Sequence, residues 1–154
     1  MNLSELIAPE AIIPALKANS KKQVLQILAE KAAELTGLNE RVVFDIVLQR
    51  EKLGSTGLGS GIAIPHGKLP NINRIFGIFA RLESPVDFEA LDDEPIDLVF
   101  LLLAPENAGA DHLKALSQIA RILRHSEVVQ KLRNTHDANT LYALLVQNSA
   151  SNAA

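Results

Sequence analysis

Val24, Leu28, Ala32 and Leu35 recur at the spacing of one helical face, and Ser20 with Gln23 reads as a capping box before them. Gly37 supplies the stop. Asn39 can cap a second helix that runs through Lys52 and is ended by Gly54. Val42, Val43, Phe44, Ile46, Val47 and Leu48 make that helix apolar on most sides, which predicts that it is largely buried. Two β-rich runs follow, Ile75 to Leu82 and Ile96 to Leu103, the second so continuously apolar that both its faces need cover. Ile62-Ala63-Ile64 reads as a short strand between loops, and Ile12 with Ile13 as an edge strand limited by Pro14. Helices are expected from about Asp111 to Arg124, after Ser126 and after Asp137.

Strands mixed with helices, ending in a run of helices, predict an α/β fold: one mixed sheet flanked by helices on both faces. With 154 residues and 47% hydrophobic content, the chain fits a single domain, expected over residues 1–148, with a small polar tail frayed over 149–154. The absence of cysteine removes disulfides and thiolate chemistry. The first residues lack a signal peptide's basic end and apolar stretch, and Leu98 to Ala104 is too short to span a bilayer, so a cytoplasmic protein without membrane insertion is expected. A formal net charge of -3, with lysines and arginines dispersed, argues against nucleic-acid binding.

Three polar residues stand out against this pattern. Helical arithmetic places Arg50 near the middle of the face formed by Val43, Ile46, Val47 and Leu53, where a guanidinium calls for a buried carboxylate or an arriving anion. The alternative is a stem reaching to water with a partner such as Glu51. His112 falls in line with Leu116, Ile119 and Leu123 in the first turn of its helix, where the helix N-terminus disfavours the imidazolium. A neutral ring used for hydrogen bonding, or simply a satisfied core histidine, follows. His66 lies in Ile64-Pro65-His66-Gly67-Lys68, where Pro65 stiffens the turn and Gly67 allows close approach. Such a histidine can be a nucleophile, a general base or a metal ligand.

Between Arg50 and His66 runs Gly54-Ser55-Thr56-Gly57-Leu58-Gly59-Ser60-Gly61. Its glycines free backbone N–H groups to cradle an anion, and Ser55 and Thr56 add hydroxyl donors. Known nucleotide motifs fail here. A dinucleotide fingerprint would need glycine at Ile62, and a P-loop read from Gly61 to Gly67 has one residue too many and Leu69 in place of the magnesium-binding hydroxyl. Neither His66 nor His112 has the neighbours of a zinc motif, so no metal and no cofactor is expected. Phosphoryl transfer fits the set better, because it asks for positioning and charge compensation around a nucleophile that also leaves well. Arg50, Ser55, Thr56, His112 and the amides of Gly57 and Gly67 are the candidate phosphoryl-binding groups around His66.

Gln49-Arg50-Glu51-Lys52, Gly54-Ser55-Thr56-Gly57, Gly61 through Lys68 and the Asp111-His112-Leu113 helix start together resemble the fructose/mannitol-type enzyme IIA family of the bacterial phosphotransferase system, in its nitrogen-regulatory branch. The resemblance spans essentially the whole chain. It implies a roughly five-stranded mixed sheet, a phosphoryl acceptor at His66, a second active-site histidine at His112, an arginine at Arg50 and hydroxyls at Ser55 and Thr56. It further implies phosphorylation on Nε2, a phosphohistidine carrier protein of the HPr/NPr type as donor, and regulatory target proteins as partners. A sugar-transport IIA that donates to a IIB domain is the nearest alternative, and a non-catalytic anion-binding module a third.

Overall fold

The apolar run from Ile96 becomes the strand around which the other strands assemble. The structure, a computed structural model, describes residues 2–153, and side chains as far as Asn148. In chain order the strands are β1 (Ile12–Leu16), β2 (Gly57–Gly59), β3 (Ile62–Ala63), β4 (His66–Leu69), β5 (Phe76–Val86) and β6 (Ile96–Pro105). The α-helices are α1 (Lys21–Thr36), α2 (Glu40–Lys52), α3 (Ala110–Ile122), α4 (Ser126–Arg133) and α5 (Ala138–Ala153). The frayed tail expected over 149–154 lies outside the residues whose side chains are described.

The sheet is mixed and six-stranded, in the order β1-β5-β6-β3-β2, with β4 also on β6. β5 runs antiparallel to β6, while β3 and β4 share the opposite edge of β6, both parallel to it. The expected strand at Ile62 therefore continues past a break at Pro65, whose missing N–H cannot serve a ladder. Pro65 still accepts a bond through its carbonyl from Leu102 N at 2.9 Å. β6 is buried at every position but Asp97, because α1 and α2 pack together on one side of the sheet and α3, α4 and α5 form a second group. β1 is an edge strand parallel to β5, and Pro14 is tolerated there because an edge strand has a free side.

The helix ends follow from local chemistry. Ser20 Oγ accepts from Gln23 N at 3.1 Å, while Gln23 Oε1 reaches back to Asn19 N at 2.7 Å, one residue before the usual capping-box target. Gly37 ends α1 in the left-handed conformation, φ 77°. Asn39 Oδ1 caps α2 through Val42 N, and Asp137 caps α5 through Thr140 N.

Two expectations about α2 are corrected. It buries one face, that of Val43, Phe44, Val47 and Glu51, and leaves Val42 exposed, so it is amphipathic and not buried on most sides. The face is also rotated by about one residue, roughly 100°, from the one expected. Glu51, at 4% exposure, points inward where Arg50 was expected to, Arg50 is half-buried, and Leu53 is 84% exposed.

Candidate functional site

β4 begins at His66, so the residue after the Pro65 break is held by the strand pairing of His66 with Leu102 on β6. Its Nδ1 lies 2.9 Å from the carbonyl oxygen of Ile64. A carbonyl only accepts, so Nδ1 carries the proton and donates, and Nε2 keeps its lone pair. Burial pushes the His66 imidazole below its ordinary pKa, the Arg50 cation adds to this, and the Ile64 bond and the Glu51 carboxylate oppose it.

His112 enters from the first turn of α3, with ring centroids 5.6 Å from His66 and planes at 52°. It is buried as expected, and its Nδ1 has no hydrogen-bond partner among the described residues. Its neutrality was expected from the helix N-terminus. The causes that depress its pKa here are burial first, then the charges of His66 and Lys68. A satisfied core histidine would have both ring nitrogens served, which His112 does not.

Arg50, His66, Gly67 and His112 line one open cleft of about 380 Å³, together with Gln49, Leu53 and Lys68. Arg50 donates from Nη1 to the carbonyl of Gly54, just past the end of α2, at 2.9 Å, which leaves its other guanidinium donors uncommitted to that bond. The alternative partner considered for it, Glu51, is committed elsewhere, to Lys21 at 2.9 Å.

Ser55, Thr56 and Gly57 do not line the cleft. The Thr56 hydroxyl donates to Glu51 Oε1, and the Thr56 amide donates to the same oxygen at 3.2 Å. Ser55 Oγ accepts from Gly57 N at 3.1 Å, which leaves the Ser55 proton available. Gly57 closes instead on the loop before β6: a Cβ there would lie 3.1 Å from Ala90 Cβ. Gly67 admits close approach, but of α2 and not of a partner, since a Cβ would stand 2.8 Å from Ile46 Cγ2. The far end of the glycine loop is pinned by Asp92, which accepts from Ser60 N at 2.9 Å, and by Arg133, which donates to the Ser60 carbonyl and pairs with Asp97 at 2.8 Å.

Sequence reasoning missed Lys68 and Glu51. His66 and Lys68 stand two apart on one strand and so share a face, a signal hidden while 66–69 read as loop. Glu51 continues the Val43, Val47 spacing at i+4, a signal that was present. Among the described residues, no group of three or more histidines and carboxylates is placed to hold a metal ion. No helix among them is long and apolar enough to cross a membrane.

A mixed sheet between two helical groups, with two histidines and an arginine over one cleft, defines a class that comparison with known proteins identifies. The model of the phosphoenolpyruvate-dependent sugar phosphotransferase system EIIA 2 family matches residues 5–148, and the chain belongs to that family, a phosphotransfer component of the system. Within it, the chain is 63% identical over 153 residues to a nitrogen regulatory protein of Bradyrhizobium diazoefficiens, covering 99% of this chain and 100% of that one. The crystal structure of nitrogen regulatory protein IIA-Ntr from Neisseria meningitidis superposes with a TM-score of 0.88 at 35% identity, over 93% of this chain and 98% of that one. IIA mannitol from Escherichia coli follows with a TM-score of 0.77 at 25% identity, over 90% and 97%.

Proposed function

We propose that this protein is a cytoplasmic histidine phosphocarrier that accepts a phosphoryl group on His66 Nε2 from a phosphohistidine carrier protein and acts as a regulatory switch in a nitrogen-type phosphotransferase system. The observation that carries this reading is the bond between His66 Nδ1 and Ile64 O, which leaves Nε2 as the nucleophilic ring atom beside the cleft. In the transfer, the Nε2 lone pair forms a bond to phosphorus as the bond from phosphorus to the donor's ring nitrogen breaks. The electron pair of that bond stays on the donor ring, and the His66 proton stays on Nδ1, donated to the Ile64 carbonyl. No proton has to move, so the exchange stays close to balanced in both directions.

Arg50 and Lys68 supply positive charge for the equatorial oxygens, and His112 supplies a neutral ring for hydrogen bonding. Ser55 remains a hydroxyl donor from the adjacent loop, Thr56 and Gly57 shape that surround without facing the cleft, and Gly67 lines it. The roughly two negative charges that arrive on a cleft lined by the exposed Leu53 change how that surface meets a regulatory target.

The test is incubation with phosphoenolpyruvate, the upstream enzyme and a phosphocarrier. Acid-labile label on the wild type and none on His66→Ala is the expected result, and equal labelling of both would sink the reading. The second reading, a sugar-specific IIA that donates to a IIB domain, is favoured by the likeness to IIA mannitol. Transfer from the phosphorylated protein to fructose- or mannitol-type IIB domains, at rates matching their own IIA partners, would select it.

A further inference from the structure

A carboxylate at 4% exposure in the last turn of a helix is doubly unfavourable: it has lost water, and it sits at the negative end of the helix dipole. Glu51 is such a group, and its partners reveal where its effect goes. Oε2 meets Lys21 Nζ at 2.9 Å, and Lys21 also donates to the carbonyl of Phe88 at 3.1 Å. Oε1 receives both the hydroxyl and the amide of Thr56. The carboxylate thus holds the first turn of α1, the last turn of α2 and the start of the glycine loop to one point.

From Thr56 the connection continues through backbone alone. The Thr56 carbonyl accepts from Ile64 N at 3.0 Å, and the Ile64 carbonyl accepts from His66 Nδ1 at 2.9 Å. Thr56 and Ile64 each donate through N–H to the preceding group of the series and accept through C=O from the next, so the two bonds on each residue restrict its φ and ψ.

We propose that Glu51 is a positioning residue for the phosphoryl acceptor, acting through Thr56 and Ile64 to hold the His66 ring with its proton on Nδ1 and its lone pair on Nε2. The inference rests on the assignment of His66 as acceptor, yet it makes a claim about the ring that is separately measurable. Lys21 has a different part: it compensates the Glu51 charge and anchors the Phe88 loop, and it does not enter the series that reaches His66.

The experiment reads the His66 tautomer by nitrogen chemical shifts of the imidazole ring, above the pH at which it protonates, alongside the rate of phosphorylation from a phosphocarrier. Wild type shows Nδ1–H as the dominant form. Glu51→Ala shows a mixture of tautomers and a transfer rate lower by about tenfold or more, the scale that loss of alignment produces. Glu51→Gln keeps an oxygen for both Thr56 donors, and restores the tautomer and the rate to within about threefold of wild type on the same scale.

Should Glu51→Ala not fold, Thr56→Val removes the hydroxyl with little change of shape, and a rise in the second tautomer is expected there too. An unchanged tautomer ratio in a folded Glu51→Ala or, failing that, in Thr56→Val overturns the proposal. Loss of phosphorylation in the wild type overturns the acceptor assignment and leaves the tautomer result standing.

Discussion

His66 and His112 reach the cleft from a strand of the sheet and from a helix outside it, and their ring centroids stand 5.6 Å apart, close enough for one to feel the other's charge. Protonating either ring therefore works against the other, on top of the cost of burying a cation.

Stability should fall as the pH drops through the ordinary imidazole range. Both rings bind protons less readily folded than unfolded, so below about pH 6.5 the unfolded chain takes up protons that the folded chain refuses. The contribution is constant above that range and declines on the acid side until both folded rings are also protonated. Thermal unfolding followed by circular dichroism across that interval checks the sign. A His66→Asn, His112→Asn double variant should flatten the histidine part of the curve.

Arg50→Ala should slow phosphorylation by roughly a hundredfold or more, the usual loss of one charge-stabilising donor. It should cost less than about 1 kcal/mol of stability, because the side chain is half-buried and its described bond is to the Gly54 carbonyl. Rapid-quench rates and urea unfolding on the same preparation separate the two effects. Comparable rates in mutant and wild type would remove Arg50 from the transfer step.

His112→Ala should slow transfer by roughly tenfold to a thousandfold, and by less than His66→Ala, which removes the acceptor itself. Its Nδ1 has no partner to be orphaned, so the folded chain should survive the change. Collapse of the fold without a separable rate effect would return His112 to the core.

Lys21→Met leaves Glu51 buried and without its cation, and should destabilise the protein by about 3–5 kcal/mol. Adding Glu51→Gln to the same chain should recover much of that loss, since no uncompensated charge then remains. Chemical denaturation of the two single variants and the double variant gives the coupling directly.

Gly67→Ala drives a Cβ to 2.8 Å from Ile46 Cγ2, a branched methyl that has little room to turn. A loss of about 1–3 kcal/mol is expected from overpacking between β4 and α2. Ile46→Ala in the same chain should relieve part of it, as measured by the urea midpoint.

The sheet's centre was legible because Leu98 to Ala104 is apolar without interruption, a pattern that suits a strand covered on both faces. Both ends of α1 and the starts of α2 and α5 were legible for the same kind of reason, carrying caps in Ser20, Gly37, Asn39 and Asp137, whereas α3 and α4 begin without a side-chain cap. β2 and β4 were not: Gly57–Gly59 and His66–Leu69 have no strand pattern of their own and are extended because β3 and β6 offer them ladders. At the site, His112 stands out by breaking the apolar pattern of its helix and His66 by its Pro65–Gly67 setting, while Arg50 is singled out on a face that the structure rotates away from it. The Glu51 partnership did not stand out, since the carboxylate's rank among α2's charged residues depends on one residue of helical phase and on Lys21, which only folding brings near.

Pro65 divides what would otherwise be one strand, and β6 holds the pieces on either side of it in fixed register. The His66 ring thus stands on backbone paired to the central strand rather than on a swinging arm. Under the proposed function, a handover point that stays put leaves timing to its visitors, and donor and recipient must be shaped to meet the same spot.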